Sequence, residues 1–160
     1  MGGKMMQIRV AKKSDIPDLL RLLRQILMLH HQGRPDLFRS GSEKYSEREL
    51  KQLLKDEARP IFVAEVDGKV AGYVFCVLRR LDNNSIMTDV RNLHIDDLCV
   101  DETQRGKGIG TALISFAKAY AKQKGCYHMT LNVWALNENA MRFYEKCGML
   151  PQKICMESIL

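Results

Sequence analysis

The stretch from Asp97 to Tyr120 constrains this chain more than any other. An apolar strand, Leu98-Cys99-Val100, passes through an acidic turn, Asp101-Glu102-Thr103, into Gln104-Arg105-Gly106-Lys107-Gly108-Ile109-Gly110 and then an amphipathic helix. Strand, glycine turn and helix follow without a spacer. Glycines at 106, 108 and 110 remove side chains where a loop enters a helix, so backbone N–H groups can approach a ligand closely, and the helix N-terminus adds partial positive charge. Arg105 and Lys107 supply formal charge to the same spot, Arg suited to forked phosphate contacts and Lys to a point-charge contact. The stretch reads as a pyrophosphate seat.

The rest of the chain supplies a sheet and its covering helices. Gln7-Ile8-Arg9-Val10 alternates polar and apolar residues as a strand does, and Ser14, Asp15 and Pro17 mark the start of a helix. Ile16, Leu19, Leu20, Leu23, Ile26, Leu27 and His30 recur at helical spacing, with Arg21, Arg24 and Gln25 on the other side. From His31 to Tyr45 the pattern stops in a loop, a place for an acceptor-substrate pocket or for a lid without substrate contacts. Ser46-Glu47-Arg48-Glu49 has capping-box spacing ahead of a short second helix. Ile61–Val66, the turn pair Asp67-Gly68 and Val70 through Leu78 predict a hairpin, and Asn92–Val100 returns as a strand. A helix closing at Gly125, a strand over 129–134, a helix capped by Asn137 and ending at Gly148, and a closing strand over 154–160 complete the order βααβββαβαβ. The pattern predicts an α/β chain, a mixed α+β sheet of six or seven strands with helices on both faces, and residues 1–160 as one domain.

Composition narrows the function classes. With 25 basic against 19 acidic residues the net charge of +6 suits an anionic ligand, but the charge is dispersed and no basic stripe or nucleic-acid motif accompanies it, so nucleic acid is not expected as a partner. No apolar run is long enough to span a bilayer, and Met1-Gly2-Gly3-Lys4 leads towards a strand rather than an apolar signal segment, so no membrane partner is expected and the cytoplasm is the expected location. Cys76, Cys99, Cys126, Cys147 and Cys155 lack the paired short spacing of a metal site and read as reduced, small core hydrophobes; no metal is expected.

Two familiar phosphate loops are excluded by spacing. Thr111 stands where a dinucleotide fingerprint starting at Gly106 requires its third glycine, and the turn does not follow the first strand; Lys107 is followed by Gly108, where a P-loop needs Ser or Thr. What remains is a loop for the pyrophosphate of coenzyme A. Arg105-Gly106-Lys107-Gly108-Ile109-Gly110, after Leu98-Cys99-Val100, resembles the acyl-CoA signature of the GCN5-related N-acetyltransferases (GNAT), and Asn137 through Gly148, with Ala140, Phe143 and Tyr144, resembles that family's second signature, Met149 replacing the usual aromatic. The element order from Gln7 to Leu160 matches as well.

The resemblance implies direct transfer of an acetyl group from acetyl-CoA to an amine, without a covalent acyl-enzyme. It implies a sheet splayed beside the strand Leu98–Val100, so that the backbone of Leu98 and Val100 pairs with pantetheine and the Leu98 amide faces the thioester oxygen. The amides from Arg105 to Gly110, with Thr111, would hold the pyrophosphate, and Asn137 would cap its helix and touch the cofactor. Tyr144 is the candidate general acid to the departing thiolate, against the plain alternative of a core tyrosine on a helix face. Asp96 and Asp97 precede the cofactor-pairing residues. In strand alternation they point to opposite faces, so only one is expected to reach the acceptor amine, to bind it, to take its proton through water, or merely to solvate a strand end. The run Ile95-Asp96-Asp97-Leu98 is similar to a Leu-Glu-Asp segment of diamine and polyamine acetyltransferases in the family. Small di- or polyamines and peptide or protein amines are the acceptors considered, with aminoglycosides a further class. His30, His31 and His94 read as ordinary polar-edge residues. Dimerisation through the late strands is common in the family and is compatible with this chain. The reading from another class is a non-catalytic acyl-CoA sensor on the same fold.

Overall fold

A computed structural model describes residues 5–160; the Met1–Lys4 segment expected to precede the first strand lies outside the described residues. Five strands, β1 (Met6–Val10), β2 (Ile61–Val66), β3 (Lys69–Leu81), β4 (Val90–Val100) and β5 (His128–Leu131), lie side by side in that order. All neighbours are antiparallel except β4 and β5, which run parallel because helix α3 (Ile109–Gln123) carries the chain back across the sheet. Helices α1 (Ile16–Gly33) and α2 (Glu47–Leu53) cover one face, and α3 with α4 (Glu138–Lys146) covers the other.

The two faces of the sheet carry separate cores. Leu19, Leu22 and Leu23 of α1 and Leu50 of α2 pack on Val63, Tyr73, Phe75 and Cys99. On the opposite face Leu113, Ile114 and Ala117 of α3 pack on Phe62, Val74, Leu93 and Ile95, with Phe143 and Tyr144 of α4 at the margin. Leu22, absent from the stripe read from sequence, is fully buried, and its carbonyl lies 3.6 Å from the Cys99 thiol. Arg21 is not a solvated residue either: its guanidinium bonds the Asp101 carboxylate and, at 3.2 Å, the Val70 carbonyl, tying α1 to the end of β4.

The Asp67-Gly68 turn has both residues in the left-handed region, φ 50° and 78°, as a two-residue hairpin of this twist requires. Ser46 caps α2 with the reciprocal Ser46/Glu49 bonds of a capping box. One expected element is missing. Residues 151–160 form no strand among the described residues, and the sheet has five strands rather than six or seven. The apolar Ile154-Cys155-Met156 and Ile159-Leu160 supply strand propensity, but a ladder also needs a partner edge, and β5 offers only four residues before the chain turns towards α4. The tail is instead held at Glu157, which pairs with Arg34 just beyond α1.

Candidate functional site

The site is organised by a defect in β4. Asp97 lies opposite Phe75 and Ile95 opposite Cys76, so Asp96 is an extra residue in the β3–β4 ladder, a β-bulge. The bulge switches the faces of the strand: Leu93 and Ile95 point into the α3 core before it, whereas Leu98 and Val100 do so after it, and Cys99 faces α1. Its second effect is on the other neighbour. β4 pairs with β5 only from Asn92 to Ile95, so from the bulge onward its outer edge is open. This is the splay implied by the resemblance.

The polarity of that edge follows from one hydrogen bond. The Asp101 N–H donates to the Ala71 carbonyl at 2.8 Å, which directs the backbone groups of Cys99 to β3 and those of Leu98 and Val100 outward, to the open side. The outward Val100 carbonyl accepts a bond from Arg105 Nε at 3.3 Å. Asp101 also accepts from the amide and hydroxyl of Thr103, at 3.0 and 2.9 Å, so it fixes both the end of β4 and the start of the glycine turn. Sequence reading left Asp101 and Arg21 without a role.

Beyond it, Gly106 and Gly108 have φ of 76° and 80°, and a Cβ on either would meet nothing within 4 Å. Left-handed backbone, rather than crowding, makes glycine the fitting residue there. Gly108 is the N-cap of α3 and provides no capping side chain; the first helical bond runs from the Ala112 N–H to the Gly108 carbonyl. The amides of Ile109, Gly110 and exposed Thr111 therefore begin the helix without an intrahelical acceptor, as an anion seat requires. Gly110 serves packing: a Cβ there would lie 3.0 Å from Phe143 Cζ, so its absence lets α4 close on α3. Lys107 Nζ turns to Gln104 at 3.0 Å rather than into the turn. Asn137 caps α4, its side-chain oxygen accepting from the Ala140 N–H at 3.1 Å. Tyr144, one turn further, is half-buried, and burial, reinforced by the field of Asp97, pushes its phenol up to about 12.

The acceptor side overturns one expectation. Asp96 and Asp97 do not point to opposite faces. Lys44 Nζ lies 3.1 Å from Asp96 Oδ2 and 3.2 Å from Asp97 Oδ2, so both carboxylates meet one ammonium. The bulge is the physical reason, because an extra residue cancels the alternation between neighbours. Their environments then drive them apart. Burial opposes ionisation of Asp96, but Lys44, Tyr45 and Arg59 outweigh it and hold its carboxyl below the usual range. At Asp97, whose side chain is 8% exposed, burial prevails over Lys44 and raises the pKa. Two adjacent carboxyls with opposed shifts are a pattern of acid–base sites.

Neighbours that sequence reading did not assign complete this half. The Tyr45 ring stacks on Phe75, 5.9 Å between centroids, and its hydroxyl donates to Asp96 at 3.3 Å while accepting from Arg59 at 3.2 Å. The Tyr73 hydroxyl is fully buried beside Asp97, and no polar group among the described residues meets it in good hydrogen-bond geometry. Phe38, from the loop after α1, packs edge-on against Trp134 beyond β5, 5.3 Å apart, and so ties that loop to the chain that follows β5. Burial lowers the His30 pKa against the opposing field of Asp97. His94 is structural, 3.0 Å from Thr130 Oγ1 across the β4–β5 pair. The only advance signal for Lys44 and Tyr45 was their place in a loop ahead of a capped helix. A cavity of about 470 Å³ between the first turn of α1 and α2, bordered by Lys13, Arg24 and Lys51, includes none of these residues.

With this geometry in place, comparison with known proteins is decisive. A model of the acetyltransferase (GNAT) family matches residues 24–149, from the middle of α1 past the end of α4. This chain belongs to the GNAT acetyltransferase family. An uncharacterised N-acetyltransferase of Methanocaldococcus jannaschii is 33% identical over 92% of the chain, which spans 62% of that relative's length. An N-alpha-acetyltransferase of Sulfurisphaera tokodaii is 29% identical over 95% of the chain and 84% of its own length. Among solved structures, a mutant of the BH1408 protein from Bacillus halodurans superposes with a TM-score of 0.92 at 30% identity, covering 96% of this chain and 99% of that one. The family model and the relatives named N-acetyltransferases support acetyl transfer to an amine in general terms.

Proposed function

We propose that this GNAT chain uses acetyl-CoA as donor and transfers its acetyl group to a primary amine directly, in a ternary complex. The observation that carries the reading is the bulge at Asp96. It opens the β4 edge, where Leu98 and Val100 present backbone groups, and gathers two carboxylates beside that opening. Acetyl-CoA supplies the activated thioester. The outward Leu98 N–H polarises the thioester carbonyl, while the uncapped amides of α3 and the left-handed Gly106–Gly108 turn hold the pyrophosphate. Arg105, which now covers the Val100 carbonyl, swings off that edge to join them.

Asp96, ionised and braced by Tyr45 and Arg59, binds the acceptor ammonium. Asp97, with its raised pKa, takes the proton that must leave the amine before attack, directly or through a water. Tyr144 returns a proton to the departing thiolate. A phenol raised to about 12 stays protonated at neutral pH, as a donor must.

The test is thiol release from acetyl-CoA with and without amine. Tyr144→Phe is expected to lower kcat by about 10²–10⁴ with the KM for acetyl-CoA nearly unchanged. An unchanged kcat refutes the general-acid role. Tight acetyl-CoA binding with no amine-dependent release across polyamines, peptides and aminoglycosides refutes catalysis and favours a sensor.

A further inference from the structure

The charges around the acceptor carboxylates are already balanced. Asp96 and Asp97 are faced by Lys44, at 3.1 and 3.2 Å, and by Arg59, whose guanidinium bonds the same Tyr45 hydroxyl that donates to Asp96. Beside the cations Lys44 and Arg59, the titratable groups acting on the pair are Tyr45, Tyr73, Tyr144, Cys99, His30 and His94, and burial holds both histidines towards their neutral form. Two anions thus meet two cations before any acceptor arrives. An open acidic pocket, the natural receptor for a di- or polyamine, is not what the bulge creates.

Lys44 stands where an acceptor ammonium must stand, on both carboxylates. Its side chain is 29% exposed on a flexible stem and comes from the loop between α1 and α2, so an incoming amine can replace it. The displaced Lys44 and the half-buried Arg59 then face the body of the acceptor as two cations. A diamine leaves them opposite a third positive charge, whereas an amine with its own anion completes both.

We propose that the acceptor is a primary amine that also carries an anionic group, a carboxylate or a phosphate a few bonds away, and that Lys44 and Arg59 read that anion. The inference rests on the acetyl-transfer reading above and narrows its substrate class. Lys44 selects by exchange: the acceptor's ammonium takes its place on Asp96 and Asp97, and its own ammonium turns to the acceptor's anion.

Matched pairs that differ by the anion alone test it: cadaverine against lysine, and glucosamine against glucosamine 6-phosphate, each assayed for kcat/KM with the acetylated nitrogen located by mass spectrometry. In at least one pair the anionic member is expected to be favoured by about tenfold or more, the size of one charge-assisted contact, and the pair that responds tells carboxylate from phosphate. Lys44→Met and Arg59→Met are each expected to cut that advantage about tenfold. Lys44→Met is also expected to raise kcat/KM for cadaverine, an inversion that loss of fold cannot produce. Arg59→Met, in the turn before β2, keeps the test available if Lys44→Met does not fold. Equal or better use of the anion-free member in both pairs overturns the proposal and leaves acetyl transfer standing. An advantage untouched by both substitutions overturns it, as does transfer to none of the four. The acetyl-transfer reading is scored separately, by amine-dependent thiol release with a peptide N-terminus.

Discussion

Gly110→Ala separates two roles that a glycine at the start of α3 can play. The residue is second in the helix and its φ lies outside the left-handed region, so alanine fits the backbone and gains up to about 1 kcal/mol in helix propensity, less so close to the terminus. Against that gain stands the ring of Phe143. The new Cβ would lie 3.0 Å from Cζ and 3.3 Å from Cε2, where carbon atoms prefer about 3.5–4.0 Å, so the ring or the whole of α4 must retreat by about 0.5 Å or more. Overpacking of this kind costs about 1–3 kcal/mol, leaving a net destabilisation of about 0–3 kcal/mol and a Tm lowered by no more than about 12 °C. The consequence for catalysis is larger, because Tyr144 adjoins Phe143 on α4. Misplacement of a reacting group by about 1 Å can cost 10²-fold, so kcat is expected to fall about 10–100-fold, with the KM for acetyl-CoA changed by less than about threefold. Phe143→Leu in the same chain makes room for the methyl group, and the double variant is expected to recover most of the lost kcat. If Gly110→Ala instead raises the KM for acetyl-CoA at constant kcat, and Phe143→Leu does not relieve it, the glycine serves the pyrophosphate and the spacing argument is wrong.

Two further outcomes follow from charged groups. Burial raises the Asp97 pKa, and the base form is the ionised one, so kcat/KM is expected to be full above the folded pKa and to fall below it, with an acid limb above the ordinary carboxylate range; Asp97→Asn is expected to lose about 10²–10⁴ in kcat/KM and that limb with it. Arg9 pairs with buried Asp15 at 2.7 Å and with Glu65 at 2.6 Å, so Arg9→Met strands a buried carboxylate and is expected to cost about 3 kcal/mol at pH 7, read by urea denaturation. Burial opposes ionisation of Asp15, but Arg9 and the Lys12 amide outweigh it and lower its pKa. The stabilisation is therefore present above the ordinary aspartate pKa and lost as pH falls through the folded value, and the difference between wild type and variant should shrink in acid.

Much of the fold was legible because its signals are local. A capping box at Ser46, the Asp67-Gly68 turn, the cap at Asn137 and the helical spacing of α1 each depend on residues a few positions apart, and each is present in the structure. The expected strand over 154–160 is absent among the described residues because pairing needs a partner edge that its own residues cannot announce. Leu22 and Arg21 lie off the single helical stripe of α1, and their roles arise because the helix meets both the sheet and the end of β4.

The donor and acceptor halves of the site divide in the same way. The glycine turn, the start of α3 and Tyr144 on α4 are contiguous stretches whose backbone needs are written in residue type, so a phosphate seat could be read from the chain alone. The acceptor half joins Lys44 and Tyr45 from one loop, Arg59 from another turn, Tyr73 from β3 and the Asp96–Asp97 pair from β4. Only the tertiary structure brings them together. One extra residue at the bulge decides which way the carboxylates point, and a register set by the partner strand is invisible in the strand's own sequence.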